Sequence, residues 1–97
     1  MNDQSFSLAP FPSANPLPSV TIDGTIARCA NALAIGYTLL GWLREVVIPE
    51  RAAVPDRQDG LWEDTCFEFF LAIRGSAPYW EFNLSPAGHW NVYRFAG

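Results

Sequence analysis

The residues best suited to chemistry lie after residue 60 and fall at alternate positions. Between residues 79 and 85, Tyr79, Glu81, Asn83 and Ser85 alternate with Trp80, Phe82 and Leu84, and in an extended chain the two sets point to opposite faces. A tight turn at residues 86–88 sets Asn83 across from Asn91 and Glu81 across from Tyr93. One face then carries a carboxylate, two carboxamides and a phenol. Such donors and acceptors suit sugar hydroxyls, and an indole suits the apolar face of a pyranose ring. Trp62 ends a charged loop just ahead of the first strand of this region and could supply that ring. Whether Glu68 joins the same face depends on the register set by the loop over residues 74–78, because a one-residue slip carries it to the other side. A solvated sheet face also carries polar residues without any ligand, so the pattern has a purely structural reading too.

Other reactive groups offer less. Glu68 and Glu81 could form a carboxylate pair for glycoside hydrolysis, although glutamates on adjacent strands are more often simply solvated. His89, beside a glycine turn, reads as an exposed loop histidine. Arg94 reads as a surface ion-pair partner of Glu81 or Glu68, with anion binding as the alternative. Cys29 and Cys66 have neither CxxC spacing nor a nearby histidine, so they predict reduced, half-buried thiols and no metal site. No glycine-rich phosphate loop, nucleophile elbow or Ser/His/Asp set is present. No catalytic residue is therefore assigned, and the expectation is a binding module and not an enzyme.

Short strands must position these groups. Residues 66–73, 79–85 and 89–95 each alternate and are separated by turn sequences, which predicts a β-meander. Upstream, Leu33, Ile35, Tyr37 and Leu39 alternate with small residues and predict another strand. A helix over residues 27–43 is the rival, weakened by Gly36 and Gly41. Asp23-Gly24 between Val20-Thr21-Ile22 and Ile26 carries a hairpin-turn signal. Residues 41–48 fit either a short helical turn or a strand end before Pro49. Residues 49–60 read as a long, mobile loop of the kind that often carries function. Pro10, Pro12, Pro16 and Pro18 make residues 1–18 an extended arm, which Phe6, Leu8 and Phe11 could dock. The fold class predicted is all-β, an antiparallel sandwich of jelly-roll type spanning residues 19–97. A strong strand falls just before Gly97 with nothing after it to cover its edge. The sandwich is accordingly expected to be incomplete, with self-association through that exposed edge as the other outcome.

Composition narrows the partners. The chain has 97 residues, one domain at most, with 49% hydrophobic and 14% aromatic content, and those rings must meet a core or a ligand. It has no lysine, six arginines that are scattered, and a net charge of −4, which disfavours nucleic acid. No apolar run approaches the roughly 20 residues that span a bilayer. The segment Met1-Asn2-Asp3-Gln4 lacks a basic region followed by an apolar stretch, so a cytoplasmic location is expected.

Two stretches are more specific. Leu61-Trp62-Glu63-Asp64-Thr65-Cys66-Phe67-Glu68-Phe69-Phe70-Leu71 and Tyr79-Trp80-Glu81-Phe82-Asn83-Leu84-Ser85-Pro86-Ala87-Gly88-His89-Trp90-Asn91-Val92-Tyr93 resemble the DOMON-like domains related to family-nine carbohydrate-binding modules. The likeness is to the bacterial, largely cyanobacterial, DOMON-like group, and to the N-terminal part of the domain. It implies a β-sandwich whose concave face binds a sugar or, in some members, haem. It also implies that Trp62 stacks on the sugar while Glu68 and Asn83 bond its hydroxyls. Two features depart from the family: the second stacking tryptophan belongs to a later part of the domain, and a haem-ligating methionine has no counterpart, Met1 being the only methionine. The resemblance thus implies a small sugar or oligosaccharide as partner, with haem as the alternative cofactor; the residues themselves leave a structural or interaction domain without a small-molecule ligand as the other reading.

Overall fold

The structure is a computed structural model that describes residues 2–97. It is all-β, with two three-stranded antiparallel sheets, and the chain divides into two compact units, Met1–Val46 and Val47–Gly97. Each unit holds one sheet.

The first sheet contains β1 (Asn2–Leu8), β2 (Val20–Cys29) and β3 (Ala32–Gly41), in that spatial order. The period-two reading of residues 33–39 is realised, and no helix forms there. Register sets Leu8, Ile22 and Leu39 in one row, Phe6, Gly24 and Tyr37 in the next, and Gln4, Ile26 and Ile35 in a third on the same face. The opposite face holds Ser7, Asp23, Thr38, Ser5 and Thr25, with Ser7 Oγ donating to Asp23 Oδ1 at 2.8 Å.

Two expectations change in this unit. The extended arm is a strand at its start: residues 2–8 pair along β2, and the four prolines are confined to the irregular segment 9–19, where no ladder donor is needed. Residue 1 lies outside the described residues. Phe6 does dock, meeting Tyr37 edge-on at 6.1 Å, whereas Phe11 is exposed. Asp23-Gly24 does not turn. Both residues sit inside β2 opposite Thr38 and Tyr37, and the reversal comes at Ala30-Asn31, between the paired Cys29 and Ala32. Ala30 takes a left-handed φ of 51°, a local cost of about 1–2 kcal/mol. The longer ladder and the seat for Phe6 offset that cost: a Cβ at Gly24 would collide with the Phe6 ring, so glycine is there to let the ring lie flat on the strand.

The second unit is the predicted meander: β4 (Phe67–Ala72), β5 (Tyr79–Leu84) and β6 (Trp90–Phe95). Its apolar face carries Phe69 stacked on Phe82 at 4.5 Å, in a row completed by Val92. Five residues, 85–89, join β5 to β6. Ser85 N–H donates to His89 O at 2.9 Å, and Gly88 N–H donates to Ser85 O at 2.9 Å. Gly88 has a φ of 103°, so the turn needs glycine for its conformation, and a Cβ there would also press on Pro55 at 3.1 Å.

That Pro55 contact belongs to a larger correction. The segment 49–60 is not a free loop, because its backbone is tied to the meander. Ala52 N–H donates to Ala87 O at 2.9 Å, Gln58 N–H to Trp90 O at 3.0 Å, and Trp90 N–H to Asp56 O at 3.1 Å. Arg57 forms an isolated parallel bridge with Trp90. The outer edge of β6, expected to be bare, is therefore covered at Trp90. At Val92 side chains close it: Asn91 Oδ1 accepts the Val92 N–H at 2.8 Å, and Arg57 Nη2 donates to Val92 O at 3.1 Å. Occupied edge groups cannot pair with another strand. Residues 43–45 form a 3-10 turn, the helical option of the two foreseen.

Candidate functional site

The meander register decides which side chains meet. Glu68 pairs with Asn83, and Asn83 with Asn91, so these three form one cross-strand row. Phe70, Glu81 and Tyr93 form the next row, and Ala72, Tyr79 and Phe95 the third. The question left open for Glu68 is thereby answered: it shares the face of Glu81, Asn83, Asn91 and Tyr93. Arg94 pairs with Trp80 and points to the other face, away from both glutamates with which it was expected to pair.

Depth separates these residues sharply. Asn83 and Asn91 are only 1% and 2% exposed, and they are the most buried side chains among the described residues. Glu68 is exposed, while Glu81 and Tyr93 are half-buried. Trp62 lies in a 3-10 turn, Leu61–Glu63, and is 67% exposed, leaving its indole accessible.

The carboxamide of Asn91 is fully engaged. Its Oδ1 accepts from Arg57 Nε at 2.8 Å in addition to the Val92 N–H. Its Nδ2 shares two hydrogens among Gln58 O at 2.9 Å, Asp59 Oδ1 at 2.8 Å and Tyr93 Oη at 3.0 Å. Tyr93 Oη in turn donates to Asp59 Oδ1 at 3.2 Å. Asn83, with its amide nitrogen turned toward the neighbouring carboxylate, donates to Glu81 Oε2 at 3.0 Å and Phe82 O at 3.3 Å. Burying an amide costs little when each polar atom is paired and several kcal/mol when it is not, so this network holds the segment 57–59 against β6. Asn91 acts from beneath the face, by fixing Tyr93 and Asp59. Of the candidate groups, Glu68 and Trp62 are exposed to solvent, and Glu81 and Tyr93 partly so.

Sequence reading passed over Arg57 and Asp59, which lie in a segment with no periodicity to assign them a face. The available signal was their charge in a loop running beside an acidic, amide-rich strand pair. His89 is corrected as well. It is 18% exposed, not a free loop histidine, and its Nδ1 lies 2.8 Å from Asp56 Oδ1 and 3.2 Å from Asp56 N. A neutral ring accepts the N–H there, and a protonated ring donates to the carboxylate.

The electrostatics of the face are acidic. Desolvation raises the Tyr93 phenol above its ordinary 10.0; its hydrogen bond to Asp59 and the Asp59 and Glu81 charges add to this, and Arg57 opposes it. Desolvation likewise raises the Cys66 thiol; a backbone hydrogen bond from Leu84 lowers it, and the Glu68 and Glu81 charges raise it again. Both cysteines are free, Cys66 half-buried as expected and Cys29 exposed. Among the described residues, no cluster of three or more His, Cys, Asp or Glu could hold a metal, and no helix is long and apolar enough to cross a membrane.

Aromatic rings border this polar area. Tyr79 stacks on Phe95 at 5.1 Å and 17°, and Phe70 sits 6.2 Å from Tyr79 at 57°. Comparison with protein-family models, with curated proteins and with solved structures finds no match for this chain. Its chemistry therefore has to be read from its own residues.

Proposed function

We propose that the chain is a non-catalytic, carbohydrate-binding-like module of the DOMON-like kind. The observation that carries this reading is the set of cross-strand rows that gather Glu68, Glu81 and Tyr93 on one face of the meander. Carboxylates accept from sugar hydroxyls, a phenol both donates and accepts, and a tryptophan as exposed as Trp62 offers a stacking surface. Asn83 and Asn91 hold Glu81 and Tyr93 in position from below. We place the module in the cytoplasm, in keeping with its two free cysteines.

A structural reading also has an observation in its favour: Asn83 and Asn91 are buried, and Asn91 is saturated by the protein itself. Titration with glucose, cellobiose or xylose, followed by tryptophan fluorescence, separates the two. A saturable change that disappears in Trp62→Ala is the expected result. Silence at millimolar concentrations of all three sugars favours the structural reading.

A further inference from the structure

We propose that the chain pairs with a second copy of itself through the outer edge of β3, antiparallel about Gly36, making one continuous six-stranded sheet. This inference is independent of the carbohydrate reading above. β3 ends its sheet, with β2 on one side and no strand among the described residues on the other. A bare edge offers unpaired N–H and C=O groups to any extended chain, and proteins blunt such edges with short strands, charges, prolines or a covering segment. The other sheet edges are blunted in these ways. β1 is seven residues long, carries Asp3 and leads into Pro10 and Pro12. β4 is six residues long and carries Glu68, and Arg57 covers β6 at Trp90 and Val92. β3 uses none of these devices: it runs for ten residues, Ala32–Gly41, with neither a charge nor a proline. Ala34, Gly36 and Thr38 are exposed, and so are Leu33 and Leu40, at 47% and 48%.

The strand's own chemistry selects the occupant. A two-fold pairing joins identical strands, so charges on a strand meet charges of the same sign across the ladder, and β3 carries none to oppose. Face matching then limits the register. Directly opposed residues of an antiparallel pair point to the same face, so both faces stay continuous only when odd-numbered residues oppose odd-numbered ones. Centred on Gly36, the pairing sets Ala34 against the partner's Thr38 and Ala32 against the partner's Leu40, a small side chain against a larger one each time. At the centre two glycines meet with no side chain between them. The ladder then runs from residue 32 to residue 40 of each copy, about 30 Å long at roughly 3.4 Å per residue. A single ladder lies at the low end of interface sizes, below about 1,200 Å², so association is weak, with a dissociation constant on the order of 10–100 µM. The net charge of −4 on each copy adds a repulsion that salt screens.

Sedimentation equilibrium of the whole chain between about 5 µM and about 1 mM tests for the pair, as a mass that rises from 10.8 kDa toward twice that value. The rise should come at lower protein concentration in about 0.5 M than in about 0.05 M sodium chloride. Hydrogen exchange identifies the surface: alternate amides of β3 should exchange about fivefold or more slower at the high protein concentration, and those of β1 should not change. Ala34→Lys with Thr38→Lys sets like charges opposite one another in this register and should raise the dissociation constant about tenfold or more. It does so although it removes two units of the net −4 charge. Asp3→Asn with Ser5→Lys makes the same change in net charge on β1 and should leave association intact. A chain that stays monomeric at about 1 mM leaves the edge to a strand of another protein and overturns the proposal. So does a dimer whose β3 amides exchange at the monomer's rate, or one that survives Ala34→Lys with Thr38→Lys. Unchanged far-ultraviolet dichroism and thermal unfolding of that variant, measured at the low concentration, establish that lost association is not lost folding.

Discussion

Strands of ten residues make up β2 and β3, with few side-chain hydrogen bonds around them, whereas β4, β5 and β6 are six residues each and are laced to the segment beside them. The first unit relies on ladder length and on close fits at glycines, chief among them the Phe6 ring over Gly24. The second relies on polar groups that hold an aperiodic segment in place. Long ladders tolerate a polar face with little internal wiring, because each added residue pair brings its own backbone bonds. Short strands need something more, and here Asn91 supplies it by linking β6 to Arg57, Gln58 and Asp59. The same network closes the β6 edge at Val92 and orients Tyr93, so edge protection there and site geometry depend on one buried amide.

The largest expected effect attacks that amide. Asn91→Ala removes the acceptor of Arg57 and of the Val92 N–H and strands the partners of Nδ2, so a loss of about 3 kcal/mol is expected in urea unfolding. A loss below about 1 kcal/mol would mean that the two units do not differ in the way described.

Next in size is the close fit of the first unit. Gly24→Val should cost about 1–3 kcal/mol by displacing the Phe6 ring. Combining it with Phe6→Ala should recover part of the loss, because residues in contact are coupled by about 0.5–3 kcal/mol. Strict additivity in that double-mutant cycle would count against the ring-over-glycine contact.

The smallest effect sharpens the comparison through pH. A phenol raised in the folded protein favours the neutral form. The stability tied to this is present below the ordinary value of 10.0 and fades as pH rises through the higher folded value. Spectrophotometric titration should show phenols ionising late in each unit, since burial also raises Tyr37 in the first sheet. Tyr93→Phe should remove one late component, and Asp59→Asn should move it back toward 10.0 without affecting the other. Both late components surviving in Tyr93→Phe would detach Tyr93 from the network.

Alternation was enough to place the meander faces and to set Asn83 against Asn91 and Glu81 against Tyr93, because a two-residue period and short connections are local properties of the chain. The register of Glu68 was beyond that reach, since the 73–78 loop could close with either parity. The Asp23-Gly24 signal misled for a related reason. Its favourable turn geometry competed with Phe6, about 18 residues earlier in the chain, and the non-local contact prevailed.

The amino-acid sequence by itself determined that this chain is β-structured and that one sheet face would carry hydrogen-bonding groups, because side-chain direction in a strand follows from position alone. Tertiary structure decided which of those groups stay in water. Asn83 and Asn91 are sealed while Glu68, Trp62 and Phe70 are exposed, and for Asn91 the reason is where residues 57–59 come to rest, which no period in the sequence encodes.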